Sequence, residues 1–125
     1  MKHGLILVAE DDPMIQKILV RMIKRSGFEG EVQVFDQALD ALAFAERVEG
    51  ALDLVLMDTN LHPEGDAAFY HQMRALSPEV PIVASSGHSE EQLRGPHHFE
   101  GCELYQVLSK PFGMGDVKAL IASLS

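Results

Sequence analysis

Several absences in this 125-residue sequence restrict its class before any motif is considered. A single cysteine, Cys102, excludes an internal disulfide framework. The net charge is −9 and the chain has no run of lysine or arginine, so we expect no direct binding to nucleic acid or to an anionic membrane. No apolar stretch approaches the ~20 residues that cross a bilayer, and the N-terminus lacks the pattern of a signal peptide. We therefore expect a cytoplasmic protein.

The remaining composition is that of an ordinary globular domain. Hydrophobic residues make up 46% of the chain, and we find no internal repeat, linker or low-complexity segment. A chain of this length buries roughly two-thirds of the surface that its unfolded state exposes. We therefore predict a single domain over residues 1–125.

Strand and helix patterns alternate along the whole chain. The first apolar strand is followed by Asp12-Pro13, a strong helix start, and Asp36 is a candidate N-cap for the second helix. The helix that begins at Ser89 is broken by Gly95-Pro96. The predicted strands cover residues 5–9, 32–35, 52–58, 82–86 and 104–108. This alternation predicts a flavodoxin-like, doubly wound α/β fold, with a parallel five-stranded sheet of order 2-1-3-4-5 between two layers of helices.

Polar side chains follow the predicted strands at one edge of this sheet. Glu10 and Asp11 come directly after the first strand, and Asp58 closes the apolar third strand. Ser86 and Lys110 follow at the ends of the fourth and fifth strands. In doubly wound sheets, ligands bind at the carboxyl ends of the strands, beside the point where the strand order reverses. We therefore expect these side chains to share one acidic pocket.

These residue types together fit the transfer of a phosphoryl group to an aspartate. Crowded carboxylates repel one another unless they are protonated or bridged by a cation, and oxygen-rich sites without thiolates suit Mg²⁺, with Mn²⁺ as an alternative. A carboxylate is a competent nucleophile toward phosphorus and forms an acyl phosphate. A lysine and a hydroxyl stabilise charge on the transferring group. The pattern therefore predicts that Asp58 accepts a phosphoryl group.

The chain also resembles the receiver domains of two-component response regulators over essentially its whole length. The resemblance rests on four blocks that occur in order: a strand with an acidic pair, an acceptor strand, a strand with a Ser/Thr switch and a lysine block. They are LILVAEDDP at residues 5–13, DLVLMD at 53–58, PIVASSG at 81–87 and LSKPF at 108–112. One block alone would be a weak signal, whereas four in order are a strong one.

The resemblance implies a metal-assisted phosphoacceptor site. Asp58 would be the phosphoacceptor and, with Asp11, a direct ligand of Mg²⁺. Glu10 would act on the metal largely through water. The backbone carbonyl of Asn60 would supply another ligand.

The resemblance also implies partners and a regulatory role. Ser86 would hydrogen-bond the phosphoryl group and Lys110 would pair with it, and the Lys110-Pro111 peptide would be cis. The phosphoryl donor would be the phosphohistidine of a sensor histidine kinase or of a histidine phosphotransfer protein. The domain would then act as a phosphorylation-dependent switch that signals through contacts with a downstream protein, and not as a turnover enzyme.

Three positions depart from the pattern of these receiver domains and are expected to modulate the switch. Such domains usually carry an aromatic residue three positions before the lysine, where this chain has Val107. Tyr105 lies two residues earlier, on the same face by strand periodicity but further from the site. His88 lies two residues after Ser86, where side chains of such domains influence the access of water to the acyl phosphate. An alternative of equal weight is a loop histidine that faces solvent.

Alternative functions remain at this point. One is a Mg²⁺-dependent phosphatase with an aspartate nucleophile, although enzymes of the haloacid dehalogenase type carry a second acid where this chain has Asn60. Another is a degenerate receiver that binds partners without phosphorylation. A zinc site formed by His88, His97, His98 and Cys102 matches no zinc spacing well.

The chain is either a stand-alone regulator or a receiver of a larger hybrid histidine kinase.

Overall fold

The computed structural model describes residues 1–124 and shows the predicted alternation of strands and helices. The elements are β1 (Leu5–Ala9), α1 (Pro13–Arg25), β2 (Glu31–Phe35), α2 (Ala38–Arg47), β3 (Leu54–Asp58), α3 (Asp66–Leu76), β4 (Ile82–Ser86), α4 (Glu90–Leu93), β5 (Gln106–Ser109) and α5 (Met114–Ser123). The strands form one parallel sheet in the order β2-β1-β3-β4-β5. The predicted fold class is therefore confirmed. Within the described part of the chain, no helix is both long enough and apolar enough to cross a membrane.

The sheet separates two hydrophobic cores, one on each of its faces. Alternate residues of a strand enter opposite cores, so that Leu56 packs with residues of α1 and α5 whereas Met57 packs with residues of α2 and α3. Burial on both faces explains why the central strands β1 and β3 carry continuous apolar runs. The same alternation determines which face of the sheet the residue at the end of a strand occupies. Because Leu56 and Met57 lie on opposite faces, Asp58 lies on the face covered by α1 and α5.

Helix starts agree with the sequence in two cases and disagree in one. The Asp12 carboxylate caps α1 by accepting from the backbone N–H groups of Met14 at 2.9 Å and of Ile15 at 3.4 Å. Ser89 and Gln92 form a capping box at α4. The expectation that Asp36 caps the second helix is wrong. Gln37 occupies that position without a side-chain cap bond, because α2 begins at Ala38.

Two strands begin two residues later than predicted, although the residue before each still bonds to the neighbouring strand. β3 begins at Leu54. The Asp53 N–H donates to the Leu5 carbonyl at 2.8 Å, while its carboxylate accepts from the backbone N–H groups of His3 at 2.7 Å and of Leu5 at 3.0 Å. β5 begins at Gln106, and the Tyr105 N–H donates to the Ile82 carbonyl at 2.8 Å.

The helix before β5 ends early, as the Gly95-Pro96 pair predicts. α4 stops at Leu93, and residues 94–105, hereafter the α4–β5 segment, continue as turns without a further helix. Phe99 anchors the segment, because its side chain is buried and its N–H donates to the Leu93 carbonyl at 2.7 Å. The segment therefore packs as an ordered surface beside the carboxyl ends of the strands.

Candidate functional site

Three carboxylates meet at the carboxyl ends of β1 and β3. The two strands are paired in register, with Ala9 opposite Met57, so Glu10 and Asp58 follow at the same level of the sheet. Oxygen atoms of Glu10, Asp11 and Asp58 all lie within 4.8 Å of one another. Glu10 is buried, Asp58 is half-buried and Asp11 is exposed. The structure thus brings together the acidic residues that the strand ends predicted.

Lys110 reaches this cluster from the end of β5. Its Nζ donates to Glu10 Oε1 at 2.7 Å and lies 3.1 Å from Asp58 Oδ2. Partial burial alone lowers the pKa of Lys110, but the hydrogen bonds and negative charges of Glu10 and Asp58 outweigh it and raise the pKa above its ordinary value. Lys110 is therefore an ammonium at neutral pH and offsets part of the repulsion among the carboxylates. The Lys110-Pro111 peptide is cis, as the resemblance implied.

Backbone groups fix the two less exposed carboxylates. Asp12 N–H donates to Glu10 Oε2 at 3.0 Å, so each Glu10 oxygen has a partner. Thr59 N–H donates to Asp58 Oδ1 at 2.8 Å. These bonds orient Asp58 before any ligand arrives, which lowers the reorganisation that a reaction at its oxygens requires.

Two serines at the end of β4 complete the rim, and the sequence singled out only the second. Ser86 is buried, its Oγ accepts from the His88 N–H at 3.1 Å, and its carbonyl accepts from the Lys110 N–H at 2.8 Å. Ser85 is the register partner of Asp58 and has the buried hydroxyl for which the described residues offer no hydrogen-bond partner. Nothing in the sequence indicated that the Ser85 hydroxyl would be buried without a partner among the described residues.

The loop after Asp58 is held by a pair that the sequence did not reveal. Asn60 has a positive φ of 62°, and its N–H donates to Asp66 Oδ1 at 2.8 Å. The other oxygen of Asp66 accepts from Nδ1 of His98 at 2.6 Å. The His98 ring in turn lies 4.7 Å, centroid to centroid, from the His88 ring. Sequence spacing gives no sign of this pairing, because Asp66 begins α3 whereas His98 lies in the α4–β5 segment.

The two remaining modulating positions lie away from the cluster. Val107 is half-buried and packs against the core on the α2 and α3 side. Tyr105 directly precedes β5, its N–H donates to the Ile82 carbonyl at 2.8 Å, and its hydroxyl donates to Ser123 Oγ on α5 at 2.8 Å. Neither side chain supplies the inward-turning aromatic that the resemblance would require.

The donor set of the cluster fits a hard divalent cation. Glu10, Asp11 and Asp58 offer only oxygen atoms, and together with Lys110 they leave a net negative charge that a cation would neutralise. Within residues 1–124, no other set of three or more histidine, cysteine or acidic side chains is close enough to hold a metal. The described residues therefore form no zinc site from His88, His97, His98 and Cys102.

Comparison with known proteins identifies a family and its relatives. A family model described as "Response regulator receiver domain" matches residues 6–122. The DNA-binding transcriptional regulator NtrC of Bradyrhizobium sp. (strain RP501 Parasponia) is 29% identical over 121 residues, which are 97% of this chain and 23% of that protein. The chain spans between 21% and 52% of the lengths of the three curated relatives that it matches.

Solved structures show the same fold. The receiver domain of sensor histidine kinase PA1611 from Pseudomonas aeruginosa PAO1, which holds a magnesium ion in its active-site cleft, aligns with a TM-score of 0.80, 24% identity and coverage of 96% of this chain and 95% of that one. A CheY-like receiver domain from Methylobacillus flagellatus aligns with a TM-score of 0.77, 25% identity and coverage of 97% and 98%.

Proposed function

Because the chain belongs to the family of response regulator receiver domains, we propose that residues 1–125 form one receiver that is switched by phosphorylation of Asp58. The observation that carries this assignment is the placement of Asp58 at the carboxyl end of a central strand, 3.1 Å from the Lys110 ammonium and within a cluster of three carboxylates. This is a nucleophile together with the positive charge that its reaction needs.

The chemistry at Asp58 is an in-line substitution at phosphorus. A carboxylate oxygen of Asp58 attacks the phosphorus of a phosphohistidine, the new O–P bond forms, the P–N bond breaks, and the electron pair leaves with the imidazole nitrogen. Lys110 stabilises negative charge on the transferring group from its position beside Asp58 Oδ2. Ser86 Oγ accepts from the His88 N–H, so its own hydroxyl proton is free to be donated to a phosphoryl oxygen.

A metal ion would complete the charge balance of this site. Glu10, Asp11 and Asp58, with the backbone carbonyl of Asn60, would hold Mg²⁺ or Mn²⁺, which supplies positive charge against the phosphoryl oxygens when bound. Glu10 also keeps Lys110 in place through their 2.7 Å contact.

The partners proposed for this domain are proteins. The phosphoryl donor is a sensor histidine kinase or a histidine phosphotransfer protein. A groove of about 300 Å³, lined by Ile15, Ile18, Pro111 and Phe112, opens beside Lys110 and supports docking of a donor there. The relative NtrC binds DNA, but this chain matches only 23% of it and carries a net charge of −9, so we assign the output to a downstream protein.

The experiment that tests this function is incubation with acetyl phosphate and Mg²⁺, followed by intact-mass analysis. We expect one added phosphoryl group that is absent without Mg²⁺ and absent in Asp58→Asn. Asp12→Asn is a matched control, because it removes a carboxylate at the same edge while asparagine still caps α1. A wild-type protein that takes up no phosphoryl group would identify a degenerate receiver, and steady release of inorganic phosphate from a small ester would identify a phosphatase.

A further inference from the structure

The β3–α3 loop and the α4–β5 segment are joined by a buried hydrogen bond between Asp66 and His98. Asp66 is 2% exposed and begins α3, whereas His98 belongs to the α4–β5 segment and has a side chain that is 13% exposed. His98 Nδ1 lies 2.6 Å from Asp66 Oδ2. Because a carboxylate only accepts, the proton of this bond resides on Nδ1 of His98. The bond thus ties together two segments that are 32 residues apart in sequence.

The second oxygen of Asp66 determines the backbone of the loop that follows Asp58. Asn60 N–H donates to Asp66 Oδ1 at 2.8 Å, and Asn60 has a φ of 62°, a conformation that residues other than glycine adopt uncommonly. A hydrogen bond to a buried carboxylate offsets the cost of that conformation. The orientation of Asn60, including its carbonyl, therefore depends on the position of Asp66, and the position of Asp66 depends on His98.

The connection continues from His98 toward Ser86. The rings of His98 and His88 are 4.7 Å apart at an angle of 42°, and the His88 N–H donates to Ser86 Oγ at 3.1 Å. His98 therefore contacts both loops that border the carboxylate cluster. His97, the neighbouring residue, is exposed instead.

We propose that Asp66 and His98 are positioning residues that hold the Asn60 backbone in the conformation required for metal binding and couple metal binding to the α4–β5 segment. The proposal rests on the function proposed above, because that function makes the Asn60 carbonyl a ligand. Neither residue touches the reacting atoms. They act as groups that orient a metal ligand, and loss of such groups typically weakens metal binding about 10- to 100-fold.

The test compares His98→Ala with His98→Asn and His97→Ala. Asparagine places an amide N–H near the position of the imidazole Nδ1–H and should restore the bond to Asp66, whereas His97→Ala removes an adjacent exposed imidazole and should change nothing. Amide hydrogen exchange of the unphosphorylated, metal-free proteins is the first measurement. We expect faster exchange at Asn60 in His98→Ala, although the mutated residue is 38 positions away in sequence, and wild-type exchange in the other two variants.

Calorimetric titration with Mg²⁺ is the second measurement. We expect His98→Ala to bind Mg²⁺ about tenfold more weakly than wild type, the lower end of the effect expected for a residue that orients a ligand. Mg²⁺ should slow amide exchange in the α4–β5 segment of wild type and lose that effect in His98→Ala. With acetyl phosphate, the Mg²⁺ concentration for half-maximal rate should rise while the rate at saturating Mg²⁺ is retained.

Unchanged exchange at Asn60 together with unchanged Mg²⁺ affinity in His98→Ala would overturn the proposal. A loss of thermal stability in His98→Ala without either change would show that the pair is only structural. Both measurements are made on unphosphorylated protein, so they judge the pair even if Asp58 proves not to accept a phosphoryl group. In that case the proposed phosphorylation switch is refuted, and the Mg²⁺ affinity and amide exchange still decide whether the pair supports metal binding.

Discussion

Replacement of Asp11 by asparagine should stabilise the metal-free protein and remove its response to Mg²⁺. Asp11 is the exposed member of the carboxylate cluster, and its side chain faces two other carboxylates within 4.8 Å. Lys110 compensates part of this charge through Glu10 and Asp58. Asp11 therefore experiences a net repulsion of roughly one like charge, which Asp11→Asn removes with little change of shape.

The distance sets the size of the effect. Two unit charges 4.8 Å apart repel with about 0.9 kcal/mol in bulk water and about 3.5 kcal/mol at an effective dielectric constant of about 20. Asp11 is exposed, so the value in water is the closer one, and we expect the free energy of unfolding to increase by about 1 kcal/mol in Asp11→Asn. For a domain of this size, that corresponds to a melting temperature about 3–4 °C higher.

Mg²⁺ should reverse this order of stability. Binding to the native state adds RT ln(1 + [Mg²⁺]/Kd), which reaches about 1 kcal/mol when the metal concentration is about four to five times the wild-type Kd. Above that concentration the wild type should be the more stable protein, since Asp11→Asn has lost a ligand. Urea unfolding in chelator and across a Mg²⁺ series at constant ionic strength measures both effects.

A matched control separates local repulsion from net charge. Asp36→Asn removes one exposed carboxylate outside the cluster and should leave both the metal-free stability and the Mg²⁺ response near those of wild type. Asp11→Asn that is no more stable than wild type in chelator would refute the repulsion argument. Equal stabilisation of both proteins by Mg²⁺ would refute the assignment of Asp11 as a ligand.

Three further predictions concern single side chains around the site. His88→Ala should shorten the lifetime of the phosphorylated protein severalfold by opening the rim to water, and an unchanged decay followed by intact mass would contradict this role. Ser85→Ala should increase the free energy of unfolding by about 1 kcal/mol, because it removes a buried hydroxyl without a partner among residues 1–124, and a destabilised variant in urea unfolding would reveal a partner. Burial, and then the negative charge of Asp66, raise the pKa of the Cys102 thiol, so iodoacetamide at neutral pH should alkylate it much more slowly in the folded protein than in denaturant; equal rates would show a freely accessible thiolate.

The fold and the acidic cluster were predictable because both depend on one rule of chain geometry. Strands buried on both faces are continuous apolar runs, and their carboxyl ends meet at one edge of a parallel sheet. Glu10 and Asp58 directly follow the apolar residues of β1 and β3, and Lys110 follows the last residue of β5, so their sequence positions define the pocket in which the structure places them. The strand order brings residues distant in sequence together, since β1 and β3 are neighbours in the sheet although β2 lies between them in sequence.

Other features were not predictable because they depend on which of several nearby partners a polar side chain takes. Asp36 has the residue type of an N-cap, yet α2 begins one residue too late for it to serve. Asp53 belongs to the predicted third strand, but no sequence pattern indicates that its carboxylate accepts from the backbone N–H groups of His3 and Leu5. The partner of Asp66 is a histidine 32 residues away, in a segment whose path no periodicity determines. Such choices follow from tertiary packing and leave no local pattern.

The departures from the usual receiver pattern and the Asp66–His98 pair concern the same part of the molecule. Val107 has no ring that could turn inward, and its side chain packs against the core on the α2 and α3 side. The Tyr105 hydroxyl is bonded to Ser123 on α5. The α4–β5 segment, in contrast, is attached to the loop after Asp58 through two short polar contacts at a single buried carboxylate. If the Asp66–His98 pair acts as proposed, a change in the charge at Asp58 reaches this segment through Asn60 and Asp66, a route that requires no aromatic residue at position 107.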